Sequence, residues 1–356
     1  MKTSGGERIL DARIKLLLKK TRPLQLLFVV AAVVCLLVFL VFNFSLNDRA
    51  GAFDVRHADQ QVEIPVTRDG LTDLSIEASG VRLEVGMVSS LSKPQVILAG
   101  EGYDGQLAKV DLEGTRCTVR LEGENSSDVQ DLTMQVLLPQ SDYTSITIAG
   151  TSLDLHVEEL RTGTLITQVG SDGYAYFAGV KADSVQIFSH APLRLYNNQI
   201  VSLVTVGGSG SVTFLENDIE RVETQTESGG IFCYDTRVNG QWNLTSSSGD
   251  ITMLSKNLPY NILVQASTMS GQLDIGYEGR YWDDAQVTDL ASVGAVNSGR
   301  IVSVGNNADK FIQAISDQGN ISIGQRERYS DLDPYAADYP FADTNPYLIE
   351  RSTITK

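Results

Sequence analysis

The chain has 356 residues, 42% of them hydrophobic, with 28 Lys and Arg against 44 Asp and Glu and a net charge of −16. That length admits one or two domains, and the apolar content is enough for a core. The acidic balance disfavours nucleic acid and anionic lipid headgroups as partners.

Residues 1–22 carry Lys2, Arg8, Arg13, Lys15, Lys19, Lys20 and Arg22 against Glu7 and Asp11, a net of +5. The following block, 23–44, contains the uncharged run from Leu24 to Phe44. Such a run is long enough to span about 30 Å of hydrocarbon as one helix. A cleaved signal peptide is the competing reading, but only Ala50-Gly51-Ala52 offers a weak cleavage site. The basic flank predicts a single-pass protein of the cell membrane, with a basic cytoplasmic tail and the rest outside the cytoplasm. Ile9 to Lys20 can alternatively be read as a basic helix lying on the inner leaflet.

A polar tether is expected over 45–61, then an irregular, strand-rich block over 62–148 that includes Leu74-Ser75-Ile76-Glu77 and Val136-Leu137-Leu138-Pro139. A repeating fold needs an atypical first unit to cover its open end, and this block is placed to provide it. From 149 to 325 the chain keeps a beat of about 20 residues. Turns such as Ser228-Gly229-Gly230-Ile231, Ser248-Gly249-Asp250-Ile251, Ser270-Gly271-Gln272-Leu273, Ser298-Gly299-Arg300-Ile301 and Gln318-Gly319-Asn320-Ile321 mark it. The first apolar residue after each turn falls at Leu153, Tyr174, Leu193, Val212, Ile231, Ile251, Leu273, Ile301 and Ile321. A second set lies two residues on: Leu155, Tyr176, Leu195, Phe214, Cys233, Met253, Ile275, Ser303 and Ile323. The residues between them are mixed, so period-2 alternation predicts inward columns along a coil axis. Asn197-Asn198, Asn217-Asp218, Asn239, Asn257 and Asn306-Asn307 recur as a second turn signal. Asn and Gly both tolerate left-handed backbone.

A period of this size is the signature of a solenoid. The expected fold is all-β: a right-handed parallel β-solenoid of ~20-residue coils, preceded by one transmembrane helix. An antiparallel β-sandwich with regular turns is the alternative. Residues 326–356 change character, with Asp333-Pro334-Tyr335, Asp338-Tyr339-Pro340-Phe341 and Asn345-Pro346-Tyr347. Their Pro density argues against a further strand. They form either a cap over the last coil or a free acidic segment.

Chemical motifs are sparse. His57, His156 and His190 have no partner at metal-ligand spacing, and neither a phosphate-binding loop nor a nucleophile elbow is present. Gly207-Gly208-Ser209-Gly210-Ser211-Val212 is similar to a calcium-binding nonapeptide, but occurs once and has Ser211 where Asp is needed. No catalytic residue, cofactor or metal is expected. Cys35 lies in the apolar run, while Cys117 and Cys233 read as small core residues rather than a disulfide.

The 28-residue interval from Leu273 to Ile301 adds about eight residues to a coil. It predicts a surface loop with Tyr277, Tyr281, Trp282, Asp283 and Asp284 as candidates for contact with a protein partner or a glycan. The competing reading packs Trp282 back onto the coil.

The Leu74-to-Val81 segment, the Val136-Leu137-Leu138-Pro139 strand and the Ser248-Gly249-Asp250-Ile251 type of turn resemble the bacterial β-strand-repeat "putative adhesin" family, of unknown function. The resemblance covers about 70–325. It implies an envelope β-solenoid, often tethered by one membrane helix, and brings no catalytic residues. Ser189-His190-Ala191-Pro192 departs from the family's Gly turn. The expected function is a non-enzymatic, membrane-anchored envelope scaffold or adhesion/interaction protein. A tethered sensor or regulator is the first alternative, and a β-helix enzyme acting on envelope polysaccharide the second. For the enzyme, the outward Asp154, Arg194 and Asp274 are the available charged groups.

Overall fold

The computed structural model describes residues 58–66, 70–100, 103, 105–123, 132–255, 261–275, 286–290, 298–304 and 309–325; at 286–290, 298–301, 303, 304 and 325 it describes the backbone alone. All belong to one compact unit, Val55–Lys356. The expected cytoplasmic tail, membrane span, most of the tether and the 326–356 segment lie outside the described residues. Among the described residues no helix is long and apolar enough to cross a membrane.

The N-terminal block holds β1 (Gln60–Glu63), β2 (Asp73–Glu77), β3 (Val81–Val88), β4 (Gln95–Ala99), β5 (Leu107–Glu113), β6 (Arg116–Glu122) and β7 (Thr133–Pro139). Coils then follow as strand pairs. They are β8 (Tyr143–Gly150) with β9 (Leu153–Glu158), β10 (Arg161–Val169) with β11 (Tyr174–Ala178), and β12 (Lys181–Ser189) with β13 (Leu193–Tyr196). Next come β14 (Gln199–Gly207) with β15 (Val212–Leu215), β16 (Asp218–Thr226) with β17 (Ile231–Tyr234), and β18 (Arg237–Ser246) with β19 (Ile251–Ser255). The C-terminal part holds β20 (Ile262–Thr268), β21 (Leu273–Ile275), β22 (Gln286–Leu290), β23 (Ser298–Val304), β24 (Lys310–Ser316) and β25 (Ile321–Gln325).

Each coil gives one strand to each of two sheets. Sheet A runs β1-β4-β7-β3-β9-β11-β13-β15-β17-β19-β25-β21; sheet B runs β22-β23-β20-β24-β18-β16-β14-β12-β10-β8-β2-β6-β5. Neighbouring coils pair in parallel throughout the middle of both sheets. The fold is therefore all-β and solenoid-like, with two parallel-rich sheets enclosing one core.

Chain order and spatial order part at both ends. The β6/β7 coil lies outside the β2/β3 coil, so β2 pairs with both β6 and β8. At the other end β24/β25 inserts between β18/β19 and β20/β21. Antiparallel strands then finish the stack: β4 on β7 and β5 on β6 at one end, β23 on β20 at the other. They occupy backbone groups that an open end would leave as a template for pairing.

This arrangement corrects the reading of the last beats. Ser298-Gly299-Arg300-Ile301 opens no coil; it lies in β23, antiparallel to both β20 and β22. Ile301 and Ser303 therefore leave the sheet A columns. The long interval builds the β22–β23 hairpin, and its buried contribution to the core is Val302. A strand with the same Gly-apolar spacing was indistinguishable from a coil, because spacing carries no strand direction.

The inward columns of sheet A are continuous. One runs Met134, Leu83, Leu155, Ala175, Leu193, Val212, Ile231, Ile251, Ile321, Leu273, and its neighbour begins Val136, Val85, Val157, Phe177, Leu195, Phe214, Cys233. The expected inward pair Leu153/Leu155 is in the core, with Val157 as a third inward residue, whereas Tyr174/Tyr176 turn outward and Ala175/Phe177 take the inward places. The cause is local. Tyr174-Ala175-Tyr176-Phe177 is apolar on both faces, so alternation does not specify which face turns inward.

Sheet B supplies the facing columns, including Leu165, Val185, Leu203, Val222 and Trp242 in register. Trp242 is fully buried, packs against Phe214 at 5.8 Å between ring centroids, and donates from Nε1 to the Ile219 carbonyl at 3.2 Å. Cys117 and Cys233 are buried free thiols, as their apolar neighbours suggested.

Turn chemistry differs in part from expectation. Left-handed backbone recurs after the sheet A strands at Glu159, Gly179, Asn197, Glu216 and Asp235, so Asn197 fills the expected role alongside two Glu and an Asp. The repeated glycines before sheet A are needed for another reason. A Cβ on Gly229 would lie 1.9 Å from the Gly210 carbonyl oxygen, on Gly249 2.2 Å from that of Gly229, and on Gly319 2.1 Å from that of Gly249. Coils approach backbone to backbone there, and only a residue without a side chain fits.

Candidate functional site: the outer faces of the two sheets

The outer faces differ in burial. Sheet B strands alternate cleanly, with buried inward and exposed or half-buried outward residues, as in β12 and β14. Its outer face leaves Phe188 42% and Val206 41% exposed. Several sheet A strands are largely buried on both faces, as in Val212-Thr213-Phe214-Leu215. Strands buried on both sides read as near-continuous apolar runs, and Met134-Gln135-Val136-Leu137-Leu138 is such a run.

Six buried apolar residues stand apart from the core cluster: Ile97, Ala99, Leu137, Tyr174, Leu215 and Leu254. All six lie on outward rows of sheet A, by register with outward neighbours such as Gln135, Thr133, Asp154 and Tyr234. Polar groups share this face. Along its central row Glu84, His156, Tyr176, Arg194, Thr213 and Phe232 follow one another on successive strands. Arg194 is only 4% exposed there.

Local pairs fix several of these groups. Glu84 forms an ion pair with Arg82, Nε to Oε1 at 3.0 Å, and accepts a hydrogen bond from Gln135 Nε2 at 2.7 Å. His156 Nε2 lies 2.7 Å from Glu158 Oε1, and its ring meets Tyr176 edge-on at 4.9 Å. Phe232 and Tyr234 lie nearly parallel, 6.4 Å apart. Burial pushes the Asp154 carboxyl above its usual range, and Arg82 opposes that shift in part. Guanidinium and carboxylate groups can form charge-assisted hydrogen bonds, and guanidiniums can stack on aromatic rings.

The charged groups considered for polysaccharide chemistry are not brought together. Arg194 and Asp274 share a row but stand five strand spacings apart, roughly 24 Å at the usual spacing. Asp154 lies one row away, beside Arg82 and Tyr174. Among the described residues no group of three or more His, Cys, Asp or Glu is placed to hold a metal ion. The loop candidates Tyr277, Tyr281, Trp282, Asp283 and Asp284 lie outside the described residues. Their segment joins β21, the last strand of sheet A, to β22, the last strand of sheet B. The sheet A face was missed in the sequence, although its signal was present: strands apolar at consecutive positions beside strands that alternate.

Stacked coils, antiparallel end strands and a glycine column define a two-sheeted, parallel β-repeat protein. The chain belongs to the Toastrack DUF4097 family, whose profile matches residues 63–324. No curated protein matches the chain. Among solved structures, it is similar to a "putative cell adhesion protein" from Clostridium sporogenes ATCC 15579, with 11% identity, a TM-score of 0.21, and coverage of 75% of this chain and 99% of that one. Another is a "putative lipid binding protein" from Parabacteroides distasonis ATCC 8503, with 13% identity, a TM-score of 0.39, and coverage of 75% and 96%.

Proposed function

We propose that this protein is a non-enzymatic interaction protein, a β-repeat scaffold held at the cell envelope by its N-terminal segment. The observation that carries the reading is the uninterrupted run of sheet B, whose outer face keeps exposed and half-buried side chains on successive coils. Support for the anchor comes from the uncharged run between Leu24 and Phe44 and the +5 balance before it. On this reading the β domain lies outside the cytoplasm, and the segment with Tyr277, Tyr281, Trp282, Asp283 and Asp284 contacts a protein or glycan partner at one end of the stack.

Fractionation of cells expressing the full chain tests the anchor. The protein should stay with membranes through alkaline carbonate washing, and external protease should digest the β domain in spheroplasts. Release by carbonate, or protection from external protease, would reject the anchored topology. Capture of partners from intact membranes with the full chain, compared with Trp282→Ala, tests the interaction. A regulator would lose its effect when residues 2–22 are deleted, whereas a scaffold would keep its partner. Turnover of any envelope glycan by the purified chain would favour the enzyme instead.

A further inference from the structure

Much of the outer face of sheet A is buried, yet the described strands all lie within the two sheets and none crosses over it. Ile97, Ala99, Leu137, Tyr174, Leu215 and Leu254 are each 5% exposed or less on that face. By register these six lie on three adjacent rows among Arg82, Glu84, Asp154 and Arg194, and apolar groups spread over a sheet face are not held out of water without an occupant. We propose that the C-terminal segment, residues 326–356, lies across the outer face of sheet A and covers these apolar groups. The inference stands apart from the reading of the protein as an envelope scaffold.

Position, length and chemistry favour this occupant. The segment begins directly after β25, a strand of sheet A near one end of its stack. Its 31 residues reach about 100 Å when extended, at ~3.3 Å per residue. Seven strand spacings separate β25 from β3, roughly 34 Å at ~4.8 Å each. Tyr335, Tyr339, Phe341 and Tyr347 bring apolar area to match these groups. Pro334, Pro340 and Pro346 suit an extended segment that makes no ladder bonds, since each lacks a backbone N–H. Charge agrees as well: Asp331, Asp333, Asp338 and Asp343 bring carboxylates toward a face that carries Arg82 and Arg194.

Thiol labelling of the full chain tests the proposal. A Cys35→Ser background carries Thr213→Cys or Leu254→Cys on the sheet A face, or Phe188→Cys on the sheet B face as reference. In the full chain the two sheet A thiols should react slowly and the Phe188→Cys thiol fast. Removing residues 326–356 should raise the sheet A rates roughly tenfold or more and leave the reference unchanged, since cover by a terminal segment controls access. Should the truncated chain fold poorly, Tyr335→Ser, Tyr339→Ser and Phe341→Ser together in the full chain should give the same rise. Fast labelling of the sheet A thiols in the full chain would overturn the proposal by showing an uncovered face. Slow labelling that survives both removal and the triple substitution would overturn it by assigning the cover to another part of the chain.

Discussion

Asn198 Nδ2 donates to Asn217 Oδ1 at 2.8 Å, one coil along the stack. The same Asn217 oxygen accepts from the Asn198 backbone N–H at 3.0 Å, and Asn217 Nδ2 donates to the Leu195 carbonyl at 2.9 Å. Asn198 repeats the pattern toward Val180 N–H and the Phe177 carbonyl. Both amides are buried. They form a two-step ladder that ties each turn to the next through side chain and backbone together.

Asn217→Ala should therefore be among the costliest polar substitutions in the domain. It removes the acceptor of two Asn198 donors in a site closed to water. The expected loss is about 2–4 kcal/mol, since each buried group left unpaired costs ~1–3 kcal/mol. Urea denaturation of Asn198→Ala, Asn217→Ala and the double variant should show strong non-additivity. Additive losses would mean that the two amides act independently.

The glycine column makes a steric prediction. Gly249→Ala places a Cβ 2.2 Å from a carbonyl oxygen of the neighbouring coil and 2.5 Å from its carbon. Backbone on both sides must move, and a loss of about 3 kcal/mol follows. Gly114→Ala is the informative contrast. Its φ of +63° is strained for alanine, but no atom lies within 4 Å of the added Cβ. Its cost should stay near 1 kcal/mol, from backbone conformation alone. Equal losses at the two sites would remove close coil contact as the reason for the column.

The coil beat and most of the core were readable because one constraint acts once per coil. Val212, Ile231 and Ile251 stack in register, so their positions repeat in the sequence as they do in space. Three things were hidden. The insertion of β24/β25 between earlier coils depends on which neighbour a strand selects, which spacing does not encode. The inward turn of Ala175 and Phe177 in place of Tyr174 and Tyr176 arose where both faces of the strand are apolar. Asn198 and Asn217 read as turn formers, because a ladder between coils is visible only once the coils are stacked.

The thiols give a third test. Burial, with some help from Asp111, pushes Cys117 up to about 11 from the usual 9.0, and burial alone pushes Cys233 higher still. Both are protonated and inaccessible near pH 8, and thiols rather than thiolates are poor nucleophiles. In a Cys35→Ser chain neither should react with a thiol reagent until the domain unfolds, after which two equivalents should appear. The linkage has a definite sign. A group whose folded pKa is raised contributes stability below its unfolded value and loses it as pH rises toward the folded one. For Cys117 that window runs from pH 9.0 to about 11, and Cys117→Ala should flatten stability across it. Rapid labelling of the folded chain would contradict the buried placement of both cysteines.

Two carboxylates should respond to acid in opposite ways. Burial raises Asp154, with Arg82 opposing, so its contribution is greatest below the usual carboxyl value of 3.8 and is lost as pH climbs through the raised folded value. Asp154→Asn removes that loss. It should be more stable than the parent at pH 7, with the difference shrinking toward pH 3. Asp73 runs the other way, because Ser145 Oγ at 2.6 Å and Thr72 Oγ1 at 2.8 Å both donate to it and hold its carboxyl below the usual range. Its contribution is present above 3.8 and disappears as pH falls through the lowered folded value. Ser145→Ala should cost stability at pH 7 and nothing once Asp73 is protonated. Melting temperatures of the three chains from pH 2 to 7 separate the cases: the Asp154→Asn and Ser145→Ala differences from the parent must carry opposite signs at pH 7, and equal signs there would show that burial does not govern Asp154.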